Sequence, residues 1–265
     1  MRLRSEFARY RAFLLDVDGV VWLGGKPIPG APEALSALAE GGRKVVLLTN
    51  NSTRSREEYA ERLRAICDWV SVGDIVTSGY ATAAFLRERF GRLRVYVIGE
   101  MGLVRELSLQ GHVVLSEDGD GLAEAVVVGL DRQLHYSKLR RALRAIARGA
   151  LFVATNEDAT VPAEGGAEPG AGSIVAALST AAGRGPDYVV GKPSRYIFEV
   201  ALRVAGASPS EALVIGDRVE TDIVGARRVG AASALVLTGV TRESDLDRLS
   251  ARPDYVLRSL ADLFE

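Results

Sequence analysis

The run AFLLDVDGVVW, residues 12–22, closes a short apolar stretch on two aspartates, Asp16 and Asp18, and follows them with glycine. Three other apolar runs end on polar residues: Thr49-Asn50-Asn51 after VVLL, Lys192 after YVVG, and Asp217 after LVIG, with Asp222 a little further on. A carboxylate about 4 Å from one phosphate charge is repelled by about 4 kcal/mol at an effective dielectric of about 20. Three aspartates therefore tolerate a phosphate dianion only with cations among them. A hard divalent ion with oxygen ligands, Mg2+ above all, suits Asp16, Asp18 and Asp217. Lys192 adds a second positive charge, and the Thr49 hydroxyl and Asn50 amide can donate hydrogen bonds to the same oxygens.

The expected chemistry follows from the pairing at 16 and 18. A carboxylate can attack as a covalent nucleophile, giving an aspartyl-phosphate that divides one hard step into two. Asp16, at the strand terminus, is the better-fixed candidate. Asp18, facing the same way two residues on, can protonate the leaving group and then activate water. The expected reaction is hydrolysis of a phosphate monoester.

Such residues need elements to hold them. Phe13–Leu15, Val45–Leu48, Val95–Ile98, Val113–Leu115, Ala125–Val128, Leu151–Ala154, Tyr188–Val190, Leu213–Ile215 and Ala234–Leu237 read as short strands. Helical spacing falls between many of them: PEALSALAEGG, SREEYAERLRAI with its capping-box serine, Tyr136–Arg148, Ser194–Ala205 and Glu220–Arg228. This alternation predicts an α/β, doubly wound parallel sheet, whose ligands lie beyond the strands' carboxyl ends. One loop and one helix fit between Asp18 and Thr49, but Thr49 and Lys192 are far more than a crossover apart. The surplus predicts an inserted smaller α/β domain at 81–186, standing over a core of 1–80 and 187–265. The VPAEGGAEPGAG stretch reads as a loop.

Bulk composition narrows the partners. The 265 residues carry a net charge of -1, which gives no global field for nucleic acid or an anionic membrane. Lysine occurs only at Lys26, Lys44, Lys138 and Lys192, so the one at a strand end stands out. Cys67 is the sole cysteine, which fits a reducing cytoplasm. No uncharged stretch reaches the roughly 20 apolar residues of a bilayer span, and the N-terminal apolar run meets Asp16 too soon for a signal peptide. A cytoplasmic enzyme of small-molecule phosphate esters is expected, with a homodimer left open.

The motifs DVDGV (16–20), LLTNNS (47–52), GKPS (191–194) and GDRVETDI (216–223) resemble, in order and spacing, those of the haloacid dehalogenase-like superfamily. YVIGEMGL, VVVGLDR, TNEDAT and PGAGSIV resemble its 4-nitrophenylphosphatase/NagD-like branch, so the similarity spans nearly the whole chain. The resemblance implies a Rossmann-like core with an inserted α/β cap that sets the substrate. It implies Mg2+ held by the Asp16 carboxylate, the Asp18 backbone carbonyl and the Asp217 carboxylate. Asp222 would orient metal-bound water or Lys192. Activity on 4-nitrophenyl phosphate, an artificial substrate, is expected; sugar phosphates, phosphoglycolate, glycerol phosphate and nucleoside monophosphates are the natural candidates.

Plainer readings stand beside these. The aspartates can serve turns, Thr49-Asn50-Asn51 can cap a helix, Lys192 can be a solvated loop residue, and Asp222 suits a helix N-terminus. Asn156 and Asp158 either face substrate or make a turn. Trp22 is either packing under the cap or a pocket wall, Cys67 an apolar filler, and His112 and His135 surface or strand-end residues. A receiver-like phosphoacceptor shares the aspartate, hydroxyl and lysine, but Asp18 would hydrolyse its acyl-phosphate. A dehalogenase does not need Asp18, and a phosphomutase would release little free phosphate.

Overall fold

Every side chain of the strand Ala12–Leu15 is buried, so it has no polar face and requires cover on both sides. The computed structural model of the chain describes residues 1–116, 121–163 and 165–265, and places this strand inside a six-stranded sheet. The strand order is Tyr255–Leu257, Ala232–Val236, Ala212–Gly216, Ala12–Leu15, Lys44–Thr49, Ile75–Thr77. Ala12–Leu15 pairs in parallel with both neighbours, Leu15 lying opposite Ile215 on one side and Leu47 on the other. The helix Ala31–Glu40 carries the chain to Lys44–Thr49, and Val224–Val229 lies between Ala212–Gly216 and Ala232–Val236. The chain thus builds outward from Ala12–Leu15 first on one side and later on the other. Strand order reverses there, and ligand crevices of parallel sheets form at such a point.

The chain divides into two compact units. The first comprises 1–49, 59–76 and 192–265. Its core joins sheet residues such as Phe13, Leu15, Val45, Leu47, Leu213 and Ile215 to Leu35, Leu38 and Tyr59 from helices. The second comprises 50–58 and 77–191. It has a parallel five-stranded sheet in the order Tyr188–Val189, Leu151–Ala154, Ala125–Val128, Arg94–Ile98, Val113–Val114. Val126, Val128 and Phe152 pack there with Ile146, Ile174 and Leu178 of the helices Tyr136–Ala147 and Ala171–Ala182.

The α/β class and its parallel sheets follow the sequence pattern, but several details differ from it. Expected boundaries lay after residues 80 and 186; the units part at Val76/Thr77 and Gly191/Lys192, and 50–58 goes with the second. Tyr188–Val189, expected in the core, pairs with Leu151–Ala154 in the second sheet, Tyr188 opposite Val153. An apolar run of this length carries no mark of which sheet it will join. Most of VPAEGGAEPGAG is not a loop: Thr160–Ala163 and Gly166–Pro169 form an antiparallel hairpin, while Glu164 lies outside the described residues. Gly166–Pro169 is exposed throughout, so only backbone pairing defines it and no apolar alternation announces it.

Of the two readings of His112, surface or strand end, the second fits: it is buried directly before the strand Val113–Val114, where its Nδ1 accepts the Leu93 N–H and its Nε2 faces the Ala83 carbonyl. His135 is exposed at the N-cap of Tyr136–Ala147, and Cys67 is buried filler, as expected. Among the described residues no helix is long and apolar enough to cross a membrane.

Candidate active site

Asp16 and Asp217 leave two neighbouring parallel strands at the same edge. The Asp16 amide extends the ladder by donating to the Ile215 carbonyl at 2.8 Å, and Asp217 follows Gly216, the last residue of that second strand. Asp222 sits on a π-helical turn, Val219–Ile223, that replaces the start of the helix expected from Glu220. Carboxylate oxygens of Asp16, Asp217 and Asp222 lie within 4.8 Å of one another, and all three residues are buried. Lys192 reaches into this cluster: its Nζ is 2.9 Å from Asp16 Oδ1 and 2.7 Å from Asp222 Oδ1.

Backbone donors fix the carboxylates. Asp16 Oδ1 accepts the Val17 N–H at 2.7 Å, and Asp217 Oδ2 accepts the Val240 N–H at 2.7 Å. Asp222 Oδ2 accepts from the Arg218 N–H at 3.2 Å and the Thr221 hydroxyl at 3.1 Å. The Asp217 carbonyl accepts the Thr241 hydroxyl at 2.6 Å. Gly239 must be glycine for room, because a Cβ there would overlap the Asp217 carboxylate. Gly19 has the same close neighbour and also a φ of +85°, which a side chain strains to adopt.

Burial disfavours charge here. It pushes Asp16 well above the ordinary carboxylate range; Lys192 opposes this, while Asp222 and Asp217 reinforce it. Burial likewise pushes Asp217 up to about 6, with Asp222 adding to the effect and the Val240 hydrogen bond opposing it. For Lys192 burial acts downward, but the charges and hydrogen bonds of Asp16 and Asp222 outweigh it and hold the ammonium above its usual value. Three carboxylates against one ammonium form a donor set that suits a hard divalent cation.

Other expected site residues lie as follows. Thr49 ends the adjacent core strand and is buried. The Asp18 side chain is outside the carboxylate cluster and accepts a hydrogen bond from Trp22 Nε1 at 2.9 Å. Asn50 and Asn51 belong to the second unit. There Asn50 Nδ2 donates to Asp158 Oδ2 at 3.0 Å, its carbonyl accepts from Asn156 Nδ2 at 2.8 Å, and Asn51 Oδ1 accepts the Thr53 N–H at 2.9 Å. Asn156 and Asp158 therefore do more than turn the chain. The loop 238–241, which no motif singles out, holds Asp217 through the Val240 N–H and the Thr241 hydroxyl. Its signal was available: LTGVT places hydroxyls and a glycine at the end of a recognised strand.

A family model described as haloacid dehalogenase-like hydrolase matches residues 13–112, and a HAD-hydrolase-like model matches 189–263. The sugar-phosphatase AraL of Bacillus subtilis is 39% identical over 250 residues, 94% of this chain and 90% of that protein. The chain belongs to the haloacid dehalogenase-like hydrolase family.

Solved structures place this hydrolase in the 4-nitrophenylphosphatase/NagD-like branch. It is similar to a p-nitrophenyl phosphatase from Archaeoglobus fulgidus, with a TM-score of 0.91, 40% identity, and coverage of 96% of this chain and 98% of that one. A glycerol phosphate phosphatase from Mycobacterium tuberculosis, in complex with magnesium, has a TM-score of 0.90 at 36% identity, covering 100% of this chain and 79% of that one. Like these relatives, the chain is an enzyme of phosphatase type.

Proposed function

We propose that this phosphatase hydrolyses small phosphate monoesters through an aspartyl-phosphate on Asp16, with Mg2+ as its cofactor. The observation that carries the reading is the buried cluster of Asp16, Asp217 and Asp222 around the single ammonium of Lys192. The cluster fits a divalent ion because its donors are all oxygens and because burial raises two of its acids. The Asp16 and Asp217 carboxylates and the Asp18 backbone carbonyl would hold Mg2+, which when bound offsets negative charge on the phosphoryl oxygens.

The steps belong to the chain's own residues. An oxygen of Asp16 attacks phosphorus, the ester P–O bond breaks, and Asp18 gives its proton to the departing oxygen. Asp18, now a carboxylate, takes a proton from water, whose oxygen attacks the phosphorus of the aspartyl-phosphate. The acyl P–O bond breaks, freeing Asp16 and inorganic phosphate. Lys192 neutralises phosphoryl charge and is kept in place by Asp222; the Thr49 hydroxyl donates to a phosphoryl oxygen. The relatives' names support sugar and glycerol phosphates as first substrates to try.

The test is phosphate release from sugar, glycerol and 4-nitrophenyl phosphates with Mg2+ or EDTA, beside Asp16→Asn. Many turnovers that stop with EDTA and in the variant are expected. Undiminished turnover in EDTA would remove the metal from the reading, and an active Asp16→Asn would remove the covalent step.

A further inference from the structure

We propose that Trp22 is a positioning residue, whose indole N–H holds the Asp18 carboxylate in the orientation that proton transfer needs. The inference rests on the role given to Asp18 above, and its evidence lies wholly in the first unit. Trp22 is buried, 4% exposed, and an indole N–H taken out of water requires an acceptor. That acceptor is Asp18 Oδ1, at 2.9 Å.

The indole itself cannot swing away. Its ring stacks on Tyr59, with centroids 6.0 Å apart and planes 16° from parallel, and the Arg62 guanidinium lies 4.8 Å above it. Its backbone is tied equally closely. The Trp22 carbonyl accepts the Gly19 N–H at 2.7 Å, the Trp22 N–H donates to the Val17 carbonyl at 3.2 Å, and Trp22–Leu23 pairs with Lys26–Pro27. A rigid donor four residues from Asp18 thus restrains rotation of its carboxylate about the Cβ–Cγ bond. A group that must first give and then take a proton gains from such fixing, since a misplacement of about 1 Å can cost about 100-fold in rate.

Packing against Tyr59 alone would explain burial of the ring, and the experiment separates the two roles. The full-length chain, labelled with 15N at its indoles, should show a resonance for each of Trp22 and Trp69, assigned with Trp69→Phe. Asp18→Ala should shift the Trp22 Nε1–H resonance and leave that of Trp69 in place; an unmoved Trp22 signal would overturn the contact. Kinetics on 4-nitrophenyl phosphate then test the role. Trp22→Phe keeps a ring for Tyr59 but loses the donor, and should lower kcat by about 10- to 100-fold with KM changed less than about threefold. In an Asp18→Asn background the same substitution should cost no further activity, because the group it positions no longer works. Wild-type kcat in Trp22→Phe, or an equal further loss in the Asp18→Asn background, would overturn the proposal. If the wild-type chain releases no phosphate from any ester, the hydrolytic reading has failed, and the indole resonance still decides the contact.

Discussion

The ammonium of Lys192 and the carboxylate of Asp222 lie 2.7 Å apart, and neither side chain is more than 2% exposed. Because the same ammonium stands 2.9 Å from Asp16, one lysine ties the strand-end aspartate to the π-helical turn. Breaking a buried pair from one side leaves charge without compensation and typically costs about 3–5 kcal/mol. Lys192→Met should therefore lower metal-free stability at pH 7 by about 3 kcal/mol, with Mg2+ restoring part of the loss, and reduce kcat/KM by at least about 100-fold. Urea unfolding with and without Mg2+, beside steady-state kinetics, checks both.

The metal-free protein should lose stability as pH rises from about 4 to 7. Asp217 is raised from 3.8 to about 6, so between those values the folded chain holds a proton that the unfolded chain has released. Its contribution is complete below the unfolded value and lost as pH climbs through the folded one. A shift of about two units corresponds to about 3 kcal/mol, and Asp16 adds in the same direction. Denaturation midpoints in EDTA at pH 4.5, 5.5 and 6.5 should fall in that order, and Asp217→Asn should flatten the series.

Asp16→Asn should abolish turnover while raising metal-free stability at pH 7. The amide carbonyl can still accept the Val17 N–H, and a buried charge that burial disfavours is gone. A denaturation midpoint below the wild type's would contradict this account of the cluster.

Gly239→Ala should impair the metal requirement specifically. Its Cβ would meet the Asp217 carboxylate, whereas Gly185 has open space and serves as the control. The Mg2+ concentration for half-maximal activity should rise at least about tenfold in the first variant, as for a disturbed ligand shell, and stay unchanged in Gly185→Ala.

A fifth expectation concerns the second unit. Glu106 is fully buried, raised by its burial, and accepts the Arg56 N–H at 2.7 Å while its carboxylate lies 3.3 Å from the Arg56 guanidinium. That guanidinium also lies 3.6 Å over Tyr80. Glu106→Ala should take the acceptor from both the Arg56 N–H and its guanidinium and speed amide hydrogen exchange across 50–58, leaving the sheet Ala125–Val128 and Leu151–Ala154 protected.

The buried polar cluster was legible because its residues are types that packing does not call for: Asp16, Lys192, Asp217 and Asp222 interrupt or follow apolar runs. Long strands such as Lys44–Thr49 were legible from their uninterrupted apolar pattern. Ile75–Thr77 and Tyr255–Leu257 were not read as strands. The sequence left Trp22 between packing and a pocket wall, because nothing in its type reveals that its N–H turns to a carboxylate four residues back.

By itself the sequence determined the α/β class, the phosphatase type and which acids end the core strands, because strand–helix alternation and the order of polar strand ends are local, one-dimensional properties. Only the tertiary structure decided that Tyr188–Val189 joins the second sheet, that Lys192 spans Asp16 and Asp222, and that Asn50 hydrogen-bonds to Asp158. Those relationships depend on which backbones pair and which side chains are driven out of water together, and distance along the chain does not encode either.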